Sequence, residues 1–239
     1  MTAYPPELDA SRSNVILVVG RKGSGKSVHA RLIYDSYPHD KLVIDPTGDA
    51  EPGPGAEKIR PPFPKRLKPS DDGRPRNLHL AVDPRSDTYR DDMDRAMSIG
   101  LFPKNRPCMV WVDEVGELMQ ANSTPPHTRL ALMSSRHYGP LSLLMCGPRP
   151  MHISPLSISQ SDRVVIYDLP NPRDVERLAE NMGYPPVRLK KAVDDTEKRN
   201  ADERAAGGEP FWHLVYDRQS KTIWRMPPVP ALAHRGPKS

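Results

Sequence analysis

The sequence predicts a three-layer α/β fold around a mainly parallel central sheet. Three observations lead there. Short, continuous apolar runs alternate with helical stretches along most of the chain, the order expected of buried parallel strands joined by helices. Those runs contain no proline, although 29 of the 239 residues are proline, against about 12 in an average chain of this length. A glycine-rich turn follows the first run and opens a helix. Proline lacks an N–H and fixes φ, so it is excluded from helix interiors and central strands. The proline load therefore belongs in loops, element starts and tails.

The elements follow in order. VILVVG at 15–20 is the first strand, and residues 25–37 form the helix that Pro38 stops. KLVID at 41–45 is a second strand. Residues 46–77 carry eight prolines and seven Lys or Arg without sustained periodicity, and read as a long irregular, basic insertion. LHLAV at 78–82 returns to strand. Residues 86–101 read as a helix with Tyr89, Met93, Met97 and Leu101 on one face. CMVWVDE at 108–114 is an apolar strand ending in two carboxylates. A helix at 126–138, a strand LSLLMCG at 141–147 and a strand RVVIYDL at 163–169 come next. NPRDVERLAENM at 171–182 is a helix with proline in its first turn, and the charged stretch 188–206 is a surface helix. FWHLVYD and KTIWRM, separated by RQS, form a C-terminal β-hairpin, and a proline-rich tail runs from 227 to 239. Residues 1–226 are expected to make one domain.

Composition narrows the setting. The formal charge is +5, which permits a polyanionic partner without demanding one. Cys108 and Cys146 sit in apolar runs and read as buried thiols, not as a disulfide or metal site. No run approaches the roughly 18 apolar residues of a membrane span, and the N-terminus has no signal-peptide pattern. A soluble, intracellular product is expected.

Residues 20–27, Gly-Arg-Lys-Gly-Ser-Gly-Lys-Ser, fit G-x-x-x-x-G-K-[ST] at every fixed position. The pattern lies where its chemistry requires, after an apolar strand and opening a helix. Backbone N–H groups of Gly20, Arg21, Lys22, Gly23, Ser24 and Gly25 form an anion nest, and the helix start through Val28 adds a positive dipole end. Lys26 is assigned to the β- and γ-phosphates of ATP, and the Ser27 hydroxyl to Mg²⁺. Asp113 is the second Mg²⁺ ligand, and Glu114 the general base that activates water. The fold class is thereby a P-loop NTPase of the RecA/ASCE-like type. Glu114 favours a water-splitting motor over a small-molecule kinase. The two strand candidates between Ser27 and Asp113 leave room for a strand inserted between the phosphate-loop strand and the acidic strand.

The order of segments resembles the FtsK/HerA superfamily of DNA-pumping ATPases. The segments are the phosphate-loop strand, LVIDPTGDAE, VWVDE, a helix ending SSRHYGPLSLLMCGPRP, and SQSDRVVIYDL. The resemblance covers residues 14–182. In length and build the chain is similar to genome-packaging ATPases of membrane-containing, tectivirus-type viruses. The resemblance implies that Asp45, with Pro46 and Gly48, faces the nucleotide. It also implies that Arg163, or its rivals Arg136 and Arg149, reaches a neighbour's γ-phosphate. The expected assembly is a homo-oligomeric ring, a hexamer, on dsDNA, with capsid vertex proteins as further partners and a host-cytoplasmic or virion-associated location. One departure stands out: Gly147 and Pro148 occupy the place where many relatives carry a sensor Gln, leaving Gln160 or Ser134 and Ser135 as substitutes.

Sequence-independent DNA tracking uses Lys, Arg and backbone groups on phosphates. Candidates are Lys58, Arg60, Lys65, Arg66, Lys68, Arg74 and Arg76 in the insertion, and the region 129–137. Two other classes compete: a small-molecule or nucleotide kinase, and an ATPase that remodels protein.

Overall fold

The computed structural model describes residues 11–47, 55–64, 70–101 and 106–230, with Asp9, Ala50, Gly53 and Lys68 as single positions. The strands are β1 (Val15–Val19), β2 (Asp40–Asp45), β3 (Glu57–Ile59), β4 (Asn77–Ala81), β5 (Cys108–Val112), β6 (Leu141–Gly147), β7 (Arg163–Ile166), β8 (His213–Asp217) and β9 (Thr222–Met226). They form one sheet in the order β3-β4-β2-β5-β6-β1-β7-β8-β9. Pairings from β3 across to β7 are parallel, and β8 and β9 add antiparallel. Every residue of β1, β5 and β6 is buried, which is why these strands read as continuous apolar runs.

The helices are α1 (Lys26–Ser36), α2 (Tyr89–Leu101), α3 (Val115–Leu118), α4 (Pro126–Tyr138), α5 (Pro155–Gln160), α6 (Pro172–Met182) and α7 (Pro186–Ala205). Side chains alternate across the sheet. Ile16, Val18, Val43, Trp111, Leu144 and Val165 face Ala30 and Tyr34 of α1. Leu17, Ile44, Val110 and Leu143 face the opposite layer, with Met93 and Met97 of α2, Ala131 of α4, Leu178 of α6 and Leu189 of α7. Four of the helices begin on proline, where its missing N–H removes no intrahelical bond. The three-layer fold and the C-terminal hairpin are thus as the sequence predicts.

Several details differ. The insertion 46–77 is not wholly irregular, because β3 pairs with β4 at the sheet edge. Its residues Glu57 and Lys58 are exposed, so no apolar pattern marks it. The strand between β1 and β5 is β6, which follows the acidic strand in sequence; β2 and β4 lie beyond β5. The acidic strand ends at Val112, and Asp113 and Glu114 form a turn. The short helices α3 and α5 carry too few turns to show periodicity in the sequence. Residues 1–8 and the tail 231–239 lie outside the described residues.

Candidate active site

The phosphate loop rises from the carboxyl end of β1. Gly20 N–H donates to Gly147 O at 3.4 Å and Arg21 N–H donates to Asp168 O at 3.0 Å, tying the loop to the ends of β6 and β7. A Cβ on Gly20 would lie 2.5 Å from Tyr167 Cβ, so only glycine fits there. Gly25, with φ 95°, caps α1 without any side-chain hydrogen bond. The first amides of α1 are therefore left for an anion at the positive end of the helix. The side chain of Lys26 is buried, and no carboxylate among the described residues lies within ion-pairing distance of it. A buried ammonium needs anionic partners, and phosphate oxygens are its natural complement. The Ser24 hydroxyl is also buried without a hydrogen-bond partner. Ser27 and Val28 are exposed on the first turn of α1. These residues fit a nucleoside polyphosphate.

The acidic side is one strand removed. Asp113 is buried and donates its N–H to Ile44 O at 3.1 Å. Glu114 is half-buried with φ 56° and ψ 57°, the left-handed region that L residues avoid. Strained backbone of this kind concentrates at functional sites. Cys146 lies on β6, the strand between β5 and β1. Burial first, then Asp113, pushes its thiol up; a Trp111 hydrogen bond and Lys26 oppose, and Glu114 adds a smaller push. The lysine and the two carboxylates thus follow the carboxyl ends of strands separated only by β6. No group of three His, Cys, Asp or Glu among the described residues forms a metal cage. Ser27 and Asp113 together match Mg²⁺, which takes one or two protein ligands and completes its shell with phosphates and water.

The remaining predicted residues are distributed as follows. Asp45 stands one residue beyond Ile44, and Asp113 one beyond Val112; Ile44 and Val112 are register partners, so the two residues follow adjacent strand positions. Asp45 also meets His79 Nε2 at 3.0 Å and accepts from Thr47 N–H at 3.2 Å. Arg163 opens β7 level with Ile16 of β1, at the edge of the sheet opposite the phosphate loop, and lies 3.8 Å from Asp217. It is not brought to its own chain's phosphates. Arg149 donates from Nε to Asp174 at 3.2 Å and shares a crevice of about 410 Å³ with Glu114, Gln120 and His152. The side chain of Arg136 and residues Gly48, Lys65 and Arg66 lie outside the described set. Arg76 pairs with Glu57 and Arg74 with Asp72. Lys58, Arg60 and Arg85 line a crevice of about 650 Å³ beside Asp45 and His79.

A side chain at Gly147 would have to displace its neighbours, because a Cβ there would lie 2.8 Å from the Ile153 Cδ1 tip and 3.1 Å from Val115 Cγ1. Gln160 ends α5 immediately before β7, at the edge away from the loop. Gln120 instead shares the crevice with Glu114 and is bridged through its backbone to Ser123 and Ile153.

Sequence reasoning missed the supports on the β7 side. Arg21 pairs with Asp168. Glu197 of α7 is pushed up to about 7, by burial first and then by hydrogen bonding and repulsion from Asp168. His29, two residues beyond Ser27, lies 2.9 Å from the Tyr167 hydroxyl. His213 stacks on Tyr167 with centroids 4.8 Å apart. Burial pulls His29 down to about 3 and His213 to about 4. Nothing in local periodicity marks these partners.

No protein-family model matches the chain, and no curated protein matches it. Solved structures do. The genome packaging NTPase B204 from Sulfolobus turreted icosahedral virus 2, in complex with sulfate, is 16% identical. The match covers 92% of this chain and 98% of that one, with a TM-score of 0.65. The same protein in complex with ATP-gammaS aligns over 93% of this chain and 100% of that one at 16% identity and a TM-score of 0.64. The DNA-packaging ATPase B204 from Sulfolobus Turreted Icosahedral Virus aligns over 92% and 99% at 16% identity and a TM-score of 0.58. The chain shares the fold of these NTPases along nearly its whole length.

Proposed function

We propose that this chain is an Mg²⁺-dependent ATPase that moves double-stranded DNA and packages a viral genome into a preformed capsid. One observation carries the reading: a buried lysine opens an uncapped helix at the carboxyl end of β1, and a strained Glu beside a buried Asp follows the carboxyl end of β5, with only β6 between the two strands. The solved structures with the same fold support the nucleotide and the cargo, since they are named as genome-packaging NTPases and one holds ATP-gammaS.

In this reading Lys26 and the amides of the loop bind the β- and γ-phosphates. Ser27 and Asp113 would hold Mg²⁺, which would supply charge neutralisation at the phosphates. Glu114 accepts the proton of the attacking water. Asp45, at the carboxyl end of β2, faces the nucleotide crevice. The chain works as a homo-oligomeric ring, a hexamer, around DNA. Arg163 stands at the opposite end of its strand from the phosphate loop, so its proposed target is a neighbour's nucleotide; Arg149, beside Glu114, and Arg136 are the alternatives. Basic residues of the 46–77 insertion, among them Lys58 and Arg60, and the 129–137 region track DNA phosphates. The ring works in the host cytoplasm and docks at a capsid vertex.

Phosphate release with and without dsDNA tests the proposal. The wild type should be stimulated by dsDNA of any sequence. Glu114→Gln should bind ATP and lose hydrolysis by about 10²–10⁴-fold. Transfer of phosphate to a small acceptor without free phosphate would replace this reading with a kinase. Hydrolysis indifferent to DNA would support a remodelling ATPase.

A further inference from the structure

We infer that Phe211 is the stacking surface for the purine base of the bound nucleotide, an inference that rests on the nucleotide-site reading above. Direction comes first. The carboxylates that meet the terminal phosphate lie on the β5 side of the loop strand, and the sheet continues on its other side through β7 and β8. A nucleotide whose terminal phosphate faces Glu114 extends its base toward β7 and β8. There β8 runs antiparallel to β7, with Leu214 level with Ile166, so the segment entering β8 lies at the same edge as the phosphate loop.

Phe211 occupies that segment. Its ring comes within 3.4 Å of where a Cβ on Gly25 would be, beside Tyr167 Cε1 at 3.5 Å. The ring is therefore in contact range of the residue that caps α1. It is also one of the few large apolar side chains left exposed, at 38%.

The ring is exposed on a backbone that is clamped. Trp212 N–H donates to Asn200 Oδ1 at 2.8 Å, and Asn200 Nδ2 donates back to Trp212 O at 3.0 Å. Asn200 itself is buried on α7. His213 Nδ1 lies 3.3 Å from Phe211 O, and the Arg199 guanidinium covers the Trp212 ring at 3.4 Å. A loop that only linked α7 to β8 would need no such anchoring of an exposed aromatic. Rigid presentation is what a stacking platform requires, since the ordering cost is met before the ligand arrives. A π-face accepts any purine, and base stacking on an aromatic side chain is worth enough to be read by alanine substitution.

The test is calorimetric binding of Mg-ATP and of Mg-tripolyphosphate to wild type, Phe211→Ala, Phe211→Trp and Asn200→Ala. Phe211→Ala should weaken ATP about tenfold and leave tripolyphosphate unchanged, while Phe211→Trp keeps ATP near wild type. Asn200→Ala, acting through the loop, should weaken ATP less and spare tripolyphosphate. Equal weakening of both ligands by Phe211→Ala, or of neither, overturns the inference and leaves the phosphate site intact. Failure of the wild type to bind either ligand overturns the phosphate site itself and this inference with it.

Discussion

The backbone of Glu114 sets stability against activity, and substitution with glycine separates them. At φ 56° and ψ 57° a non-glycine residue carries about 1–2 kcal/mol of left-handed strain. Glycine removes that strain but costs about 0.5–1 kcal/mol in unfolded-state freedom. The reference is Glu114→Gln, which loses the charge and keeps the strained backbone. Relative to it, Glu114→Gly should gain about 0.5–1 kcal/mol, in the middle of a span running from about 0 to 1.5 kcal/mol. For a chain of 239 residues, 1 kcal/mol moves the melting temperature by about 2–4 °C, so a rise of about 1–4 °C is expected. Differential scanning calorimetry without nucleotide reads the shift. Both variants should lose hydrolysis, because neither carries a base. A glycine variant melting at or below the glutamine variant would show that no strain is stored at the acidic turn.

Two further predictions follow from neighbouring residues. Gly147→Ala should cost about 1–3 kcal/mol by overpacking against Ile153 and Val115, read by urea unfolding; an unchanged midpoint would mean that the site can admit a sensor side chain after all. The second concerns pH. Glu197 is raised to about 7, so the folded state binds the proton more tightly; its stabilisation is full below about 4.5 and is lost as pH rises through 7. His29 and His213 are lowered to about 3 and 4, so their contribution is full above about 6.5 and falls away in acid. Unfolding curves from pH 4 to 8, compared with wild type, should show Glu197→Gln removing a fall in stability between about 4.5 and 7, and His213→Phe removing a rise between about 4 and 6.5; changes of the same sign in both variants would contradict the assignment.

The parts of this molecule that were legible in the sequence are those written in local pattern. VILVVG and CMVWV announce themselves because strands buried on both faces need apolar residues at every position. The phosphate loop does so because glycine spacing, lysine and hydroxyl are all demanded by one ligand. Lateral order was less visible: β6 and not β2 or β4 lies beside β1, and that depends on where the crossovers return. The β3 edge strand has only Ile59 turned inward, too little for a pattern. Asn200 and Trp212 find one another only after α7 turns back to β8. The conformation of Glu114 has no signature at all, since its neighbours Asp113 and Val115 would suit an ordinary helix start equally well.

The prolines bear finally on how copies of the chain can meet. One rim of the sheet is β3, three residues long and followed by Pro61, Pro62 and Pro64; the other is β9, followed by Pro227, Pro228 and Pro230. Without N–H groups these residues cannot continue a ladder, and short or proline-stopped rims resist strand addition from another molecule. Self-association through sheet extension, the route to fibres, is blunted at both margins. A closed assembly is then better served by helix and loop surfaces, where shape and charge can be adjusted without disturbing the strands that hold the nucleotide.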